Sequence, residues 1–186
     1  MFIQTEQTPN PATLKFLPGR EVMAEGVAEF RDADEAGQAS PLAERIFAVD
    51  GVAGVYLGAD FISVTKAEGL DWYVMKPAVL GAVMEHFMSG DPVLHPTATI
   101  EQHGAASDDD DPAVRQIKEL IETRVRPAVA RDGGDIVFQG YERGVVYLHM
   151  RGACAGCPSS VITLKNGIEN LLKYYVPEVV EVRSIS

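Results

Sequence analysis

Between residues 89 and 112 the chain reads "SGDPVLHPTATIEQHGAASDDDDP". That stretch constrains the fold more than any other. It is rich in Pro, Gly, Ser and Asp and carries no sustained apolar period, so neither a long helix nor a sheet is expected to run through it. A chain of 186 residues interrupted there has room for one small core on each side. Charge divides at the same place. Residues 1–111 carry 6 Lys/Arg against 19 Asp/Glu, a net −13, whereas residues 112–186 carry 10 against 8, a net +2. The expected fold class is α+β: two small α+β domains joined by an acidic flexible linker. The expected bounds are 1–90, a linker over 91–111, and 112–186. The Asp108–Asp111 run is expected to act as a self-repelling spacer, since the spaced oxygens of an EF-hand loop are absent. Asp111 also suits the cap of a helix whose first residue is Pro112.

Composition narrows the class. Apolar residues make up 46% and charged residues 23%, as in ordinary soluble globular proteins. No apolar run approaches the roughly 20 residues of a membrane helix. The opening Met1–Arg20 has neither a secretory pattern nor an Arg-rich amphipathic one. A reducing compartment is therefore expected: the cytoplasm, with the mitochondrial matrix open if the chain is a mature form. The overall charge of −11 argues against nucleic acid as a partner, because phosphate binding needs basic surface.

In the second half the order α-β-β-α-β is expected. Val114, Ile117, Ile121 and Val125 recur at helical spacing, and Pro127 should kink or restart that helix. "RDGGD" (131–135) reads as its stop signal. "DIVFQGY" and "GVVYLHM" read as strands joined by a turn at Glu142–Gly144, with Val146, Leu148 and Met150 on one face. A helix from Pro158 to about Tyr175 should bury Val161, Leu164, Ile168, Leu171 and Tyr175, and "EVVEVRSI" should close as a strand. In the first half, "MFIQTEQ" and "ATLKFLPG" look like strands around Pro9-Asn10-Pro11. Ser40 and Pro41 should open a helix. "GVYLGAD" and "FISVTKA" form a hairpin. "KPAVLGAVMEHFMSG" is a helix with Leu80, Met84, Phe87 and Met88 inward. No chemical constellation is visible in that half.

Chemistry concentrates in "RGACAGCPSS" (151–160), which holds both cysteines, Cys154 and Cys157. Pro158 favours the first position of a helix, so Cys157 should lie at or beside its N-cap, where the helix dipole favours thiolate. Gly152, Ala153, Ala155 and Gly156 keep bulk low around Cys154. Three readings compete. Thiol–disulfide exchange suits a CxxC at a helix start, but the preceding hairpin is not the βαβ unit of a thioredoxin fold. Structural zinc wants four ligands, and His149, the nearest further donor, faces away from Leu148 and Met150 as an ordinary surface or interface residue. An iron–sulfur cluster also wants four thiolates. Two copies of the chain, each giving Cys154 and Cys157, supply them about a two-fold axis. His86, His95 and His103 show no ligand spacing.

"RDGGDIVFQGYERGVVYLHMRGACAGCPSS" resembles the core of the C-terminal domain of the NifU-like (Nfu) family, over about residues 112–185. "TPNPATLKF", "VAGV" and "FISVTK" are similar to the extra N-terminal domain of one Nfu subgroup. The resemblance implies a non-enzymatic iron–sulfur scaffold or carrier. It implies a cluster, 4Fe–4S favoured and 2Fe–2S open, held by Cys154 and Cys157 and delivered to apo-proteins. Its implied partners are a second copy of the chain, a cluster donor and recipient apo iron–sulfur proteins. The N-terminal domain is implied to recognise donors or clients.

Overall fold

The computed structural model describes residues 2–98, 110–155 and 158–185, with the backbone alone for 158–160. The chain divides into two compact units, residues 1–102 and 103–186. Both helices and sheets are present in each, so the α+β expectation holds.

The first unit is built on an antiparallel sheet in the order β1-β2-β5-β4-β3. Its strands are β1 (Gln4–Gln7), β2 (Thr13–Leu17), β3 (Ala28–Phe30), β4 (Val52–Leu57) and β5 (Ile62–Lys66). Leu14, Phe16, Val55, Leu57, Ile62 and Val64 alternate onto one face, as period-2 burial demands. Helices α1 (Ala33–Ala39), α2 (Pro41–Phe47) and α3 (Trp72–Ser89) pack their apolar residues into the same core. β3 and α1 have no counterpart in the sequence reading. Each is short, and α1 carries little beyond Ala36 to mark its buried side.

Ser40 links three parts of this unit. Its hydroxyl accepts from Ala43 N–H at 3.0 Å, capping α2, and donates to Val93 O at 2.6 Å. His95 N–H donates to Ala39 O at 2.8 Å, and Val93 and Leu94 pack against the core. The chain just past α3, expected within the flexible linker, is therefore docked on the first unit. The expected inward stripe of α3 is also corrected. Met75, Val79, Val83 and His86 are the buried set, Leu80, Met84 and Phe87 are half-buried, and Met88 is 75% exposed.

In the second unit, Asp111 caps α4 (Pro112–Leu120) by accepting from Ala113 N–H at 2.9 Å, as expected. Asp110 pairs with Lys118 at 3.0 Å. Asp108, Asp109 and His103 lie outside the described residues. Pro127 stands in the first turn of a new helical segment, the restart that the sequence predicts. A π-helical turn (Ile121–Val125) joins α4 to α5 (Arg126–Arg131), with Arg126 N–H reaching back to Ile121 O. Ile117, Ile121, Val125 and Val129, all buried, fall at every fourth residue. In a pure α-helix that row drifts by about 40° per step. The wider turn takes the drift back and absorbs the residue that has no N–H.

α5 ends at Gly133, whose φ of +77° only glycine adopts freely. β6 (Gly134–Glu142) and β7 (Val145–Gly152) follow as a hairpin with a two-residue turn, Arg143–Gly144, both at positive φ. α6 (Pro158–Tyr175) crosses back to β8 (Glu181–Ile185), which lies parallel to β7. Ile136, Val146, Leu148 and Met150 face the helices. On α6, Ile168 and Leu172 are buried, and Val176 just beyond it continues the row. Val161, Leu164 and Leu171 pack at its edge, whereas Tyr175, expected inward, is exposed and stacked by Arg124.

Replacing Ser40 with Ala removes both the α2 cap and the tether to Val93. The first unit should lose about 1–2 kcal/mol. Urea unfolding of the full chain, followed by Trp72 fluorescence, should show an earlier first transition.

Candidate metal centre

The site is the loop between β7 and α6, and its geometry is set by the hairpin beneath it. The β6–β7 register pairs Gly134 with Gly152 and Asp135 with Arg151. Gly152, at a φ of +60°, turns the chain out of the strand. Ala153 N–H then donates to Gly133 O at 3.1 Å, and Cys154 N–H to Arg151 O at 3.3 Å. These bonds fold the loop back over the start of β6.

Cys154 is buried, 7% exposed. Its sulfur rests on the Cα of Gly134. A Cβ at that position would stand 2.2 Å from Sγ, so no other residue fits without displacing the cysteine. The Asp135 N–H donates to the same sulfur. Burial, then the carboxylates of Asp135 and Asp132, push the Cys154 thiol up to about 12; the N–H of Asp135 opposes them. Without metal this cysteine is a capped neutral thiol.

Asp135 is itself buried and pairs with Arg126 Nε at 3.1 Å. Arg126 also donates to Glu122 at 2.5 Å. The sequence marks "RDGGD" only as a helix stop and gives no sign that Gly134, Asp135 and Arg126 belong to the site. The turn at 143–144 does not by itself give their place: a bulge between Phe138 and Gly140 shifts the register by one residue, and only that shift sets Gly134 opposite Gly152.

Cys157 directly precedes α6 and, with Gly156, lies outside the described residues. His149 is half-buried on β7, on the opposite face from Leu148 and Met150, with Arg151 Nη2 at 3.4 Å from its Nδ1. Among the described residues no three of His, Cys, Asp and Glu gather into a metal-holding group. The second-unit loop thus offers sulfur donors on a small α+β scaffold, without a third protein ligand beside Cys154 among those residues.

Comparison with known proteins places this architecture. Residues 3–90 match the family model for the N-terminal domain of scaffold protein Nfu/NifU, and residues 117–183 match the NifU-like domain. The chain belongs to the NifU-like (Nfu) family. It is 50% identical over 185 residues to a Drosophila ananassae protein named NFU1 iron-sulfur cluster scaffold homolog, mitochondrial, covering 100% of this chain and 64% of that one. The protein of the same name in Drosophila erecta is 50% identical over 188 residues, with 100% and 65% covered. The chain thus spans just under two thirds of the length of these relatives. The solution structure of a NifU-like protein from Saccharomyces cerevisiae is 26% identical, with a TM-score of 0.46, covering 52% of this chain and 86% of that one.

The raised Cys154 pKa carries a pH signature. A thiol whose pKa is higher folded than unfolded stabilises the fold below the unfolded value and loses that contribution as pH rises toward the folded one. From the ordinary value of 9.0 to about 12, the metal-free protein should lose stability faster than its Cys154→Ala variant. Denaturation midpoints of the second transition across that range check it. Parallel curves would show that the thiol is not held neutral by its site.

Proposed function

We propose that this protein is an iron–sulfur cluster scaffold or carrier in which Cys154 and Cys157 of two chains together hold one cluster and pass it to apo-proteins. The observation that carries the reading is a CxxC offering two sulfurs per chain, with no third donor grouped beside Cys154 among the described residues. Four thiolates complete the coordination of a cluster, and a two-fold pair of chains provides them. The 4Fe–4S form is favoured: held by four thiolates it carries about two negative charges, which two helix N-termini stabilise. The 2Fe–2S form takes the same ligands. The names of the relatives support a scaffold role, and their mitochondrial naming agrees with the matrix alternative for its location. No described helix is long and apolar enough to cross a membrane.

The role is binding and transfer rather than catalysis. A dithiol oxidoreductase needs an accessible low-pKa thiolate. Cys154, buried and with its pKa pushed up, does not offer one, which leaves that role to Cys157 alone. Zinc in the same four-thiolate arrangement remains an outcome of the experiment. We read the first unit, with residues 93–95 docked on it, as a domain that recognises donors or clients and 112–186 as the cluster-binding domain.

Anaerobic reconstitution with iron and sulfide tests the proposal. The wild type should take up about four iron and four sulfide per pair of chains and pass from monomer to dimer by light scattering. Cys154→Ala and Cys157→Ala should each lose nearly all of it. A single-cysteine variant that fills to the wild-type level, or a wild type that retains only zinc, would overturn the reading.

A further inference from the structure

The residue after Gly134, whose Cα meets the Cys154 sulfur, begins a chain of charges. Asp135, the second residue of β6, is 3% exposed. Its N–H donates to the sulfur, and Arg151 stands opposite it in the strand register. Arg126 Nε holds the carboxylate at 3.1 Å. Arg126 is placed there by the π-helical turn immediately before it, and its other arm donates to Glu122. The side chains of Arg126 and Asp135 are 21% and 4% exposed, so solvent and salt screen the pair far less than a surface one.

We propose that Asp135 and Arg126 form an opposed pair that sets how firmly Cys154 grips an anionic cluster, the aspartate loosening the grip and the arginine restoring it. The inference rests on the cluster-binding reading above and concerns a function that reading does not assign to either residue. A cluster with thiolate ligands is negative overall. A buried carboxylate beside one ligand repels it, and a guanidinium on that carboxylate offsets the repulsion. Both act through Cys154 without contributing a ligand, so both are positioning residues. A pair kept only for stability would make no distinction of sign: removing either partner harms the fold, and harm to the fold speeds cluster loss in both cases. The charge reading demands opposite signs.

The test measures cluster half-life in the reconstituted protein during challenge with an iron chelator, read by visible absorbance, with circular dichroism confirming that each variant is folded. Asp135→Asn keeps the side-chain shape and an acceptor for Arg126. It should lengthen the half-life, on the order of tenfold. Arg126→Gln should shorten it by a similar factor. The double variant, neutral at both positions, should return to within about twofold of wild type. If Arg126→Gln does not fold, the sign for Asp135→Asn decides alone, since a merely structural role shortens the half-life there. Shifts in the same direction, or no shift, overturn the inference while leaving the cluster-binding reading intact. A wild type that takes up no cluster overturns both.

Discussion

The contact between the Cys154 sulfur and the Cα of Gly134 is the constraint on which the working end of the second unit depends. It requires a residue without a side chain at the first position of β6. It also requires the β6–β7 register to bring Gly134 opposite Gly152, two residues before the cysteine. That register is set by a bulge between Phe138 and Gly140, which shifts the pairing by one residue, and at the far end of the hairpin by the Arg143–Gly144 turn. There Gly144 is held against Val180: an added Cβ would meet its side chain at 2.7 Å. A slip of one residue would put every inward side chain of β6 outside, and Ile136 out of the core. The sulfur's position is therefore fixed by the same pattern that builds the core.

The helical side of the unit is fitted to the same end. Pro127 cannot donate to the helix ladder, and the π-helical turn accommodates it while keeping Val129 in the apolar row. The residue just after that turn is Arg126, which reaches Asp135 and so ties α5 to the strand that carries the sulfur's hydrogen-bond donor.

Much of this fold was legible because its patterns are strong. The caps at Ser40 and Asp111, the β4–β5 and β6–β7 hairpins and the long α6 all carry unambiguous periodicity or punctuation. What escaped was weakly patterned. In α3, Lys76 and Glu85 are the only acidic or basic residues besides His86, and apolar residues surround the whole helix. Periodicity then cannot say which side is buried, and Met88 was placed on the wrong one. Tyr175 was misplaced because the stripe of α6 passes through Leu172 to Val176, a turn of the helix that a fixed spacing drawn from Val161 leaves behind. At the site, the cysteines were visible as residues, but the burial of Cys154 was not. That burial arises from Gly134, twenty residues earlier, and only the strand register brings the two together.

On the proposed function, the capped thiol has a direct consequence for transfer. Binding metal requires the Cys154 thiolate, so the proton has to leave a group whose site favours keeping it. The largest contribution to that preference is burial, and part of it is recovered only by turning the sulfur toward solvent or toward a partner chain. In the proposed two-chain site, each chain would spend some of the metal–sulfur bond energy on undoing its own resting arrangement, and the pair would do so twice. A recipient whose thiolates are already open has no such cost. Even a difference of about 1.4 kcal/mol per chain multiplies to roughly a hundredfold over the pair. If Cys154 holds a cluster as proposed, such a difference would favour handing it on to a recipient of that kind.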